Sequence, residues 1–225
     1  MSTKNTPLTL NATYTIEIRD LGVHGEGIGS AENFTVFVPG ALPVETVKAK
    51  IILIKKSYAS GKLISVEKPS PDRTVPQCPV YDSCGGCQIS HLTYEGQLAA
   101  KERRVKDVMV RIGKASEDVV LPILGAPHEW NYRNKMAVPV GQVTGGPVLG
   151  YYRQGTHQIV PIQECLIQEE ENNRLLRFAE DFMIRHGITG YNEKSGKGCV
   201  RHVMGRVGDN GEVMAVIVTA TENLP

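Results

Sequence analysis

The sequence predicts an α+β protein: a small N-terminal β-barrel followed by a mixed α+β domain. Short alternating stretches recur at near-regular spacing over residues 8–67, with glycine and proline turns between them. Four prolines within Pro69 to Pro79 then interrupt the pattern and read as a linker. Beyond the linker, stretches of helical period alternate with stretches of strand period.

Thr13 to Arg19 alternates and reads as the first strand. The cluster Gly22, Gly25, Gly27 and Gly29 reads as a turn. It is not a nucleotide-binding loop, because strand-like residues follow it where such a loop would open a helix. Phe34 to Pro39, Val44 to Leu53 and Tyr58 to Val66 supply three further strands, with turns at Pro39-Gly40 and Ser60-Gly61. Thr93 to Gly113 reads as a helix with Thr93 as N-cap, an apolar stripe of Leu98, Val105, Val108, Met109 and Ile112, and Gly113 at its end. Strands return from Val119 to Val160, turning at Thr144-Gly145-Gly146-Pro147. A second helix spans Glu164 to His186, with Leu166, Leu175, Phe178, Phe182 and Met183 facing inward. Residues 198–219 read as a hairpin about Asp209-Asn210-Gly211.

Composition narrows the function classes. Hydrophobic residues make up 41% of the 225, enough for a packed core, which argues against wholesale disorder. The net charge of +1 is uninformative, but its distribution is not. Lys48 to Arg73 holds seven basic residues against two acids, Lys101 to Lys114 six against two, and Arg185 to Arg206 five against one. Glu164 to Asp181 reverses the balance, with six acids against two arginines. Basic segments around an acidic one suggest a polyanionic partner; an ordinary solvated surface is the alternative. The polar start, Met1 to Asn5, and the absence of a long apolar run predict a cytoplasmic protein without membrane attachment. In that compartment, five cysteines point to metal ligands or free thiols before disulfides.

The cysteines carry the sharpest signal. Cys78-x5-Cys84-x2-Cys87 places three thiols in CPVYDSCGGCQ, where Gly85 and Gly86 let backbone amides approach sulfur. A fourth ligand would be Cys165 or Cys199. Zinc sites of four cysteines usually pair two short knuckles, and the second knuckle is missing here. Three clustered cysteines and one distant one suit a 4Fe–4S cluster better. Cys199, near Lys197, Arg201 and His202, can instead be read as a reactive thiol or as an incidental buried one.

These motifs support a resemblance. RTVPQCPVYDSCGGCQISHLTYEGQLAAKERRV (73–105) is similar to the iron–sulfur segment of TRAM-containing 23S rRNA uracil-5-methyltransferases. RDLGVHGEGIGSAENFTVFVPGALPVETVKAKI (19–51) resembles their TRAM domain, an OB-like RNA-binding barrel. WNYRNKM (130–136) and GYYRQGTHQIV with PIQECLI (150–167) resemble their central domain. Val44 departs from the family pattern, which often has glycine after Ala-Leu-Pro.

The resemblance implies that Cys165 is the fourth ligand beside Cys78, Cys84 and Cys87 of a 4Fe–4S cluster. It implies a TRAM barrel at 8–68, a linker with the cysteine cluster at 69–92, a helix at 93–118 associated with a catalytic domain, and a central domain at 119–225. It also implies an S-adenosyl-L-methionine-dependent enzyme acting on C5 of a uridine in 23S rRNA, monomeric and cytoplasmic. The Rossmann-like domain that binds S-adenosyl-L-methionine and carries the cysteine nucleophile has no counterpart in this sequence, so the chain alone is expected to be inactive. Lys48, Lys50, Lys55, Lys56, Arg133, Lys135, Arg201 and His202 are candidate phosphate contacts, with pairing to the acidic helix as the rival role for the arginines. Trp130, Tyr132, Tyr151 and Tyr152 either stack on bases or fill the core.

Two other classes fit parts of the pattern. Some radical S-adenosylmethionine tRNA-modifying enzymes carry TRAM domains, but they use Cys-x3-Cys-x2-Cys and leave one iron open. A stand-alone RNA-binding zinc or iron–sulfur module is the other.

Overall fold

A computed structural model describes residues 7–222. The chain divides into two compact units. One comprises the residues up to Gln77 together with 88–125, and the other comprises 78–87 with the residues from 126 onward.

The first unit is built on a closed five-stranded barrel. Its strands are β1 (Thr13–Leu21), β2 (Gly27–Ala31), β3 (Phe34–Val38), β4 (Thr46–Ile54) and β5 (Ala59–Lys68), in the order β1-β2-β3-β5-β4, with β1 and β4 closing the ring. All pairs are antiparallel except β3 with β5. The period-2 pattern explains the closure. Ile16 and Ile18, Val36 and Val38, and Val47, Ala49 and Ile51 alternate with polar or outward residues and are buried inside. Closure also removes the exposed sheet edges that an open sheet of this size would leave.

β2 went unread in the sequence. Its glycines suggested a turn, but only 22–26 turns, and Gly27 and Gly29 lie on a strand. A Cβ on Gly29 would stand 2.5 Å from the Glu17 carbonyl oxygen, so glycine is required there by the close approach of β1.

α1 (Tyr94–Asp107) begins where the hydroxyl of Thr93 accepts the amide of Gly96 at 3.3 Å, as expected. It runs on as a π-helical turn over Val108–Ile112 and stops at Gly113. No residue of α1 or of that turn is buried, so the anticipated apolar stripe does not form part of a core among the described residues.

The second unit is a five-stranded antiparallel sheet of β6 (Lys135–Val143), β7 (Gly146–Tyr152), β8 (Ile159–Pro161), β9 (Val200–Val207) and β10 (Val213–Thr219), in the order β10-β9-β6-β7-β8. One helix, α2 (Glu170–Arg185), packs on it. Leu176, Ala179 and Met183 of α2 meet Met136, Val138, Leu149 and Val203 of the sheet. The helix starts later than the sequence suggested and is turned differently. Phe178 and Phe182 were expected inside, but their rings stack on each other at the exposed face.

The expected class is therefore corrected. An α+β chain with an iron–sulfur central domain, and a Rossmann-like domain lacking beside it, is not the architecture found. The described residues form a closed barrel and an antiparallel sheet with two α-helices. The sequence misled because the acidic run before α2 has helical composition, yet residues 164–169 are loop and bridge that place Cys165. No helix among the described residues is long and apolar enough to cross a membrane.

Candidate functional site

Two distant segments of the second unit converge on one cavity. Residues 78–87 form successive tight turns, with the amides of Ser83 and Cys84 both donating to the Val80 carbonyl. This brings Cys78, Cys84 and Cys87 to the cavity wall, and Cys165 completes it from the loop before α2. Val80, Ile162 and Ile167 supply apolar lining, and Tyr81, Arg133, Tyr151 and Glu164 carry polar groups. Among the described residues, no three His, Cys, Asp or Glu side chains gather closely enough to hold a single metal ion.

The glycines between the cysteines have separate roles. The Gly85 amide donates to the Tyr152 carbonyl at 2.9 Å, and a Cβ there would stand 2.8 Å from that oxygen. Gly86 brings its amide to 3.4 Å from the Cys84 sulfur. At Cys165 the Gln168 amide donates to the carbonyl oxygen at 3.0 Å. Peptide N–H groups aimed at sulfur stabilise a thiolate, which is the form that binds metal.

Cys165 is held by α2. Its amide donates to Oδ1 of Asn173 at 2.9 Å, and Asn173 Nδ2 donates back to its carbonyl at 3.3 Å. Asn173 is buried in the first turn of the helix, and Gln168 is buried beside it with Nε2 donating to the Tyr151 hydroxyl. Burial pushes the Cys165 thiol up, against the pull of the Ile167 and Gln168 amides. Burial first, and then the charge of Cys165, push the Tyr151 phenol up to about 12, so it stays protonated.

Tyr151, Gln168 and Asn173 were not identified as site-shaping residues from the sequence. The available signal was the pair Asn172-Asn173, two poor helix formers inside the helix that the sequence predicts over Glu164 to His186. Cys199 does not line the cavity. It is buried, with Sγ 3.2 Å from the Thr221 hydroxyl oxygen.

The candidate phosphate contacts fall into several places. Lys48 and Lys50 project outward from β4, alternating with buried Val47, Ala49 and Ile51. Lys50 lies opposite Lys62 on β5, and Lys55 and Lys56 sit exposed on the β4–β5 turn. Lys48 is partly neutralised by Glu67 at 3.5 Å. On the second unit, Arg133 lines the cysteine cavity and donates to the Lys135 carbonyl, so it is not on a separate face. Lys135 pairs with Arg206 across β6 and β9, His202 lies between Pro139 and Val218 in mid-sheet, and Arg201 stacks on Tyr191. None of these four side chains pairs with the acidic helix among the described ion pairs, which tie Arg174 and Arg177 to Glu170 within α2 itself.

Comparison with known proteins gives this arrangement a setting. The model of the TRAM domain family matches residues 7–64. The chain is 48% identical over 227 positions to an uncharacterized RNA methyltransferase of Bacillus cereus, covering 100% of this chain and 50% of that protein. It is 41% identical over 226 positions to an uncharacterized RNA methyltransferase of Halalkalibacterium halodurans, covering 100% and 49%. The chain thus spans about half the length of the curated relatives it matches. In three dimensions it is similar to the Pyrococcus abyssi tRNA (uracil-54, C5)-methyltransferase in complex with S-adenosyl-L-homocysteine, with a TM-score of 0.71 at 23% identity over 94% of this chain and 47% of that one. At that identity the likeness is one of fold, and it replaces the expected α+β iron–sulfur class with a fold found in a methyltransferase chain. The chain is therefore similar to TRAM domains over residues 7–64 and, along its whole length, to about half of proteins named RNA methyltransferases.

Proposed function

We propose that this chain is the RNA-holding part of a cytoplasmic S-adenosyl-L-methionine-dependent methyltransferase that modifies C5 of a uridine in 23S rRNA, and that Cys78, Cys84, Cys87 and Cys165 hold a 4Fe–4S cluster. The observation that carries the cluster is the convergence of four thiols from two distant segments on one cavity, with the Gly86 amide directed at the Cys84 sulfur. The TRAM match and the relatives named RNA methyltransferases support the RNA and methyl-transfer parts.

These residues fit such a group. The donor set is all sulfur, the wall between the donors is mainly apolar, and the N–H···S contact favours a thiolate. Bound by four protein thiolates, the cluster would act as a cross-link between 78–87 and the loop before α2, with no iron left open for substrate. Asn173 would keep Cys165 in place, and Gly85 would keep the 78–87 turns against β7. On the first unit, the outward Lys48, Lys50, Lys55 and Lys56 would follow a phosphate backbone.

The RNA part is tested by measuring affinity for a 23S rRNA fragment as a function of salt, with and without Lys48, Lys50, Lys55 and Lys56 replaced by alanine. On single-stranded RNA the slope of log K against log salt should shrink by about 0.7 for each phosphate that the variant no longer neutralises. An unchanged slope would show these lysines to be only a solvated face.

A further inference from the structure

In the second unit, two loop tips meet through one carboxylate. β7 ends at Tyr152 and turns through 153–158 into β8, while 191–198 turns back into β9. Glu193 reaches from the second loop to the first. It accepts the Tyr152 hydroxyl at 3.2 Å and stands 2.7 Å from Nδ1 of His157. Held in this way, the imidazole lies against the Tyr152 ring, with centroids 5.1 Å apart and planes tilted by 31°. The Arg201 guanidinium sits 4.6 Å above the Tyr191 ring. Gly190 bridges Val200, which sets Tyr191 and Arg201 together at the base of the loop that carries Glu193.

This arrangement is not a core device. The His157 side chain is 76% exposed, yet it is fixed by two contacts. A ring that is ordered and open to solvent offers a face at little further entropic cost. The charges point the same way. Glu193 is taken up by His157 and Tyr152, whereas the exposed Arg153, Lys194 and Lys197 have no acidic partner among the described ion pairs. Flat faces beside unmatched cations suit a ligand with π faces and phosphates. An acidic peptide would use the cations and leave the rings idle. Single-stranded RNA uses both.

We propose that Tyr152, His157, Tyr191 and Arg201 form a stacking platform for unpaired RNA bases, with Arg153 and Lys197 on the flanking phosphates. The platform rests on the RNA reading above but involves different residues from the barrel lysines. Glu193 is a positioning residue, since it orders the histidine and need not touch RNA.

The experiment uses the full chain and a fluorescent single-stranded 12-mer RNA carrying 4-thiouridine. His157→Ala with Tyr191→Ala should weaken binding on the order of tenfold, as expected when base stacking is removed. Arg201→Lys should weaken it less than Arg201→Leu. Glu193→Gln keeps the size of the side chain but loosens the histidine, and should weaken binding without altering Trp130 fluorescence or the melting temperature. Ultraviolet cross-links should fall in 150–158 and 191–201. Wild-type affinity in the ring variants, with cross-links confined to 46–68, overturns the platform and leaves the barrel reading intact. Wild-type protein that binds no RNA overturns both. Displacement of the RNA by polyglutamate at equal charge would show a purely ionic surface and overturn the stacking role.

Discussion

Arg73 forks onto the buried carboxylate of Glu45, with Nε 2.6 Å from Oε1 and Nη2 2.8 Å from Oε2, and the same Nη2 donates to the Gly40 carbonyl at 2.7 Å. Glu45 also accepts the amides of Leu42 and Ser70, so a single carboxylate ties the linker to the barrel. Arg73→Leu should lower the unfolding free energy by about 3 kcal/mol, because it strands a buried charge. Arg73→Lys should cost less, since it keeps the charge although one ammonium cannot span both oxygens. Denaturant midpoints measure both: an equal loss for the two variants would contradict the stranded-charge explanation, and no loss for Arg73→Lys would deny the fork its role.

The same unit should weaken in acid. Burial first, and the Arg73 charge second, pull His91 from 6.5 down to about 4. Between those values the unfolded chain takes a proton that the folded chain refuses, so stability falls as pH drops from about 6.5 towards 4, by at most about 1.4 kcal/mol per pH unit. Burial alone would raise Glu45, but the Arg73 hydrogen bond and the Leu42 and Ser70 amides outweigh it and hold the carboxyl low. Its contribution is present above the ordinary value of 4.5 and is lost as pH falls through the depressed value. His91→Gln should flatten the profile between pH 6.5 and 4.5. An unaltered profile would exclude His91 as its source.

Metal content tests the cysteine cavity. Anaerobically purified protein should be brown and hold about four irons per chain. Cys165→Ser should lose or degrade the cluster, and Cys199→Ser should keep it. Asn173→Ala should release iron faster, by about ten- to a hundredfold, because the backbone of Cys165 is no longer clamped. Stoichiometric zinc without iron, or the two cysteine variants behaving in reverse, would defeat the assignment.

Val44 sits at φ +64°, exposed, in a left-handed conformation that a β-branched residue adopts at a cost. Its amide still donates to the Ile18 carbonyl at 2.9 Å, so the conformation is imposed by the turn. Val44→Gly should stabilise the barrel by about 1 kcal/mol, the relieved strain exceeding the added freedom of the unfolded chain. A lower melting temperature would show that the valine gains more from its contacts than it loses in strain.

The sequence by itself determined the elements whose signals are local. Period-2 alternation marked β1, β3, β4 and β5, the Thr93 cap and Gly113 bounded the first helix, and Asp209-Asn210-Gly211 marked the last hairpin. The spacing of Cys78, Cys84 and Cys87 singled out the segment that walls the cavity. Tertiary structure decided what depends on distant partners. Gly27 and Gly29 became a strand only because β1 passes within van der Waals contact of them, which no window around the glycines records. Phe178 and Phe182 were left outside because the sheet meets α2 along Leu176, Ala179 and Met183, and an amphipathic stripe does not reveal which of its edges the core will cover. The Asn173 clamp on Cys165 and the Glu193 bridge between two loops each join residues far from local periodicity. Hydrogen bonds of that kind leave no mark on a linear pattern, because their geometry exists only after the backbone has folded.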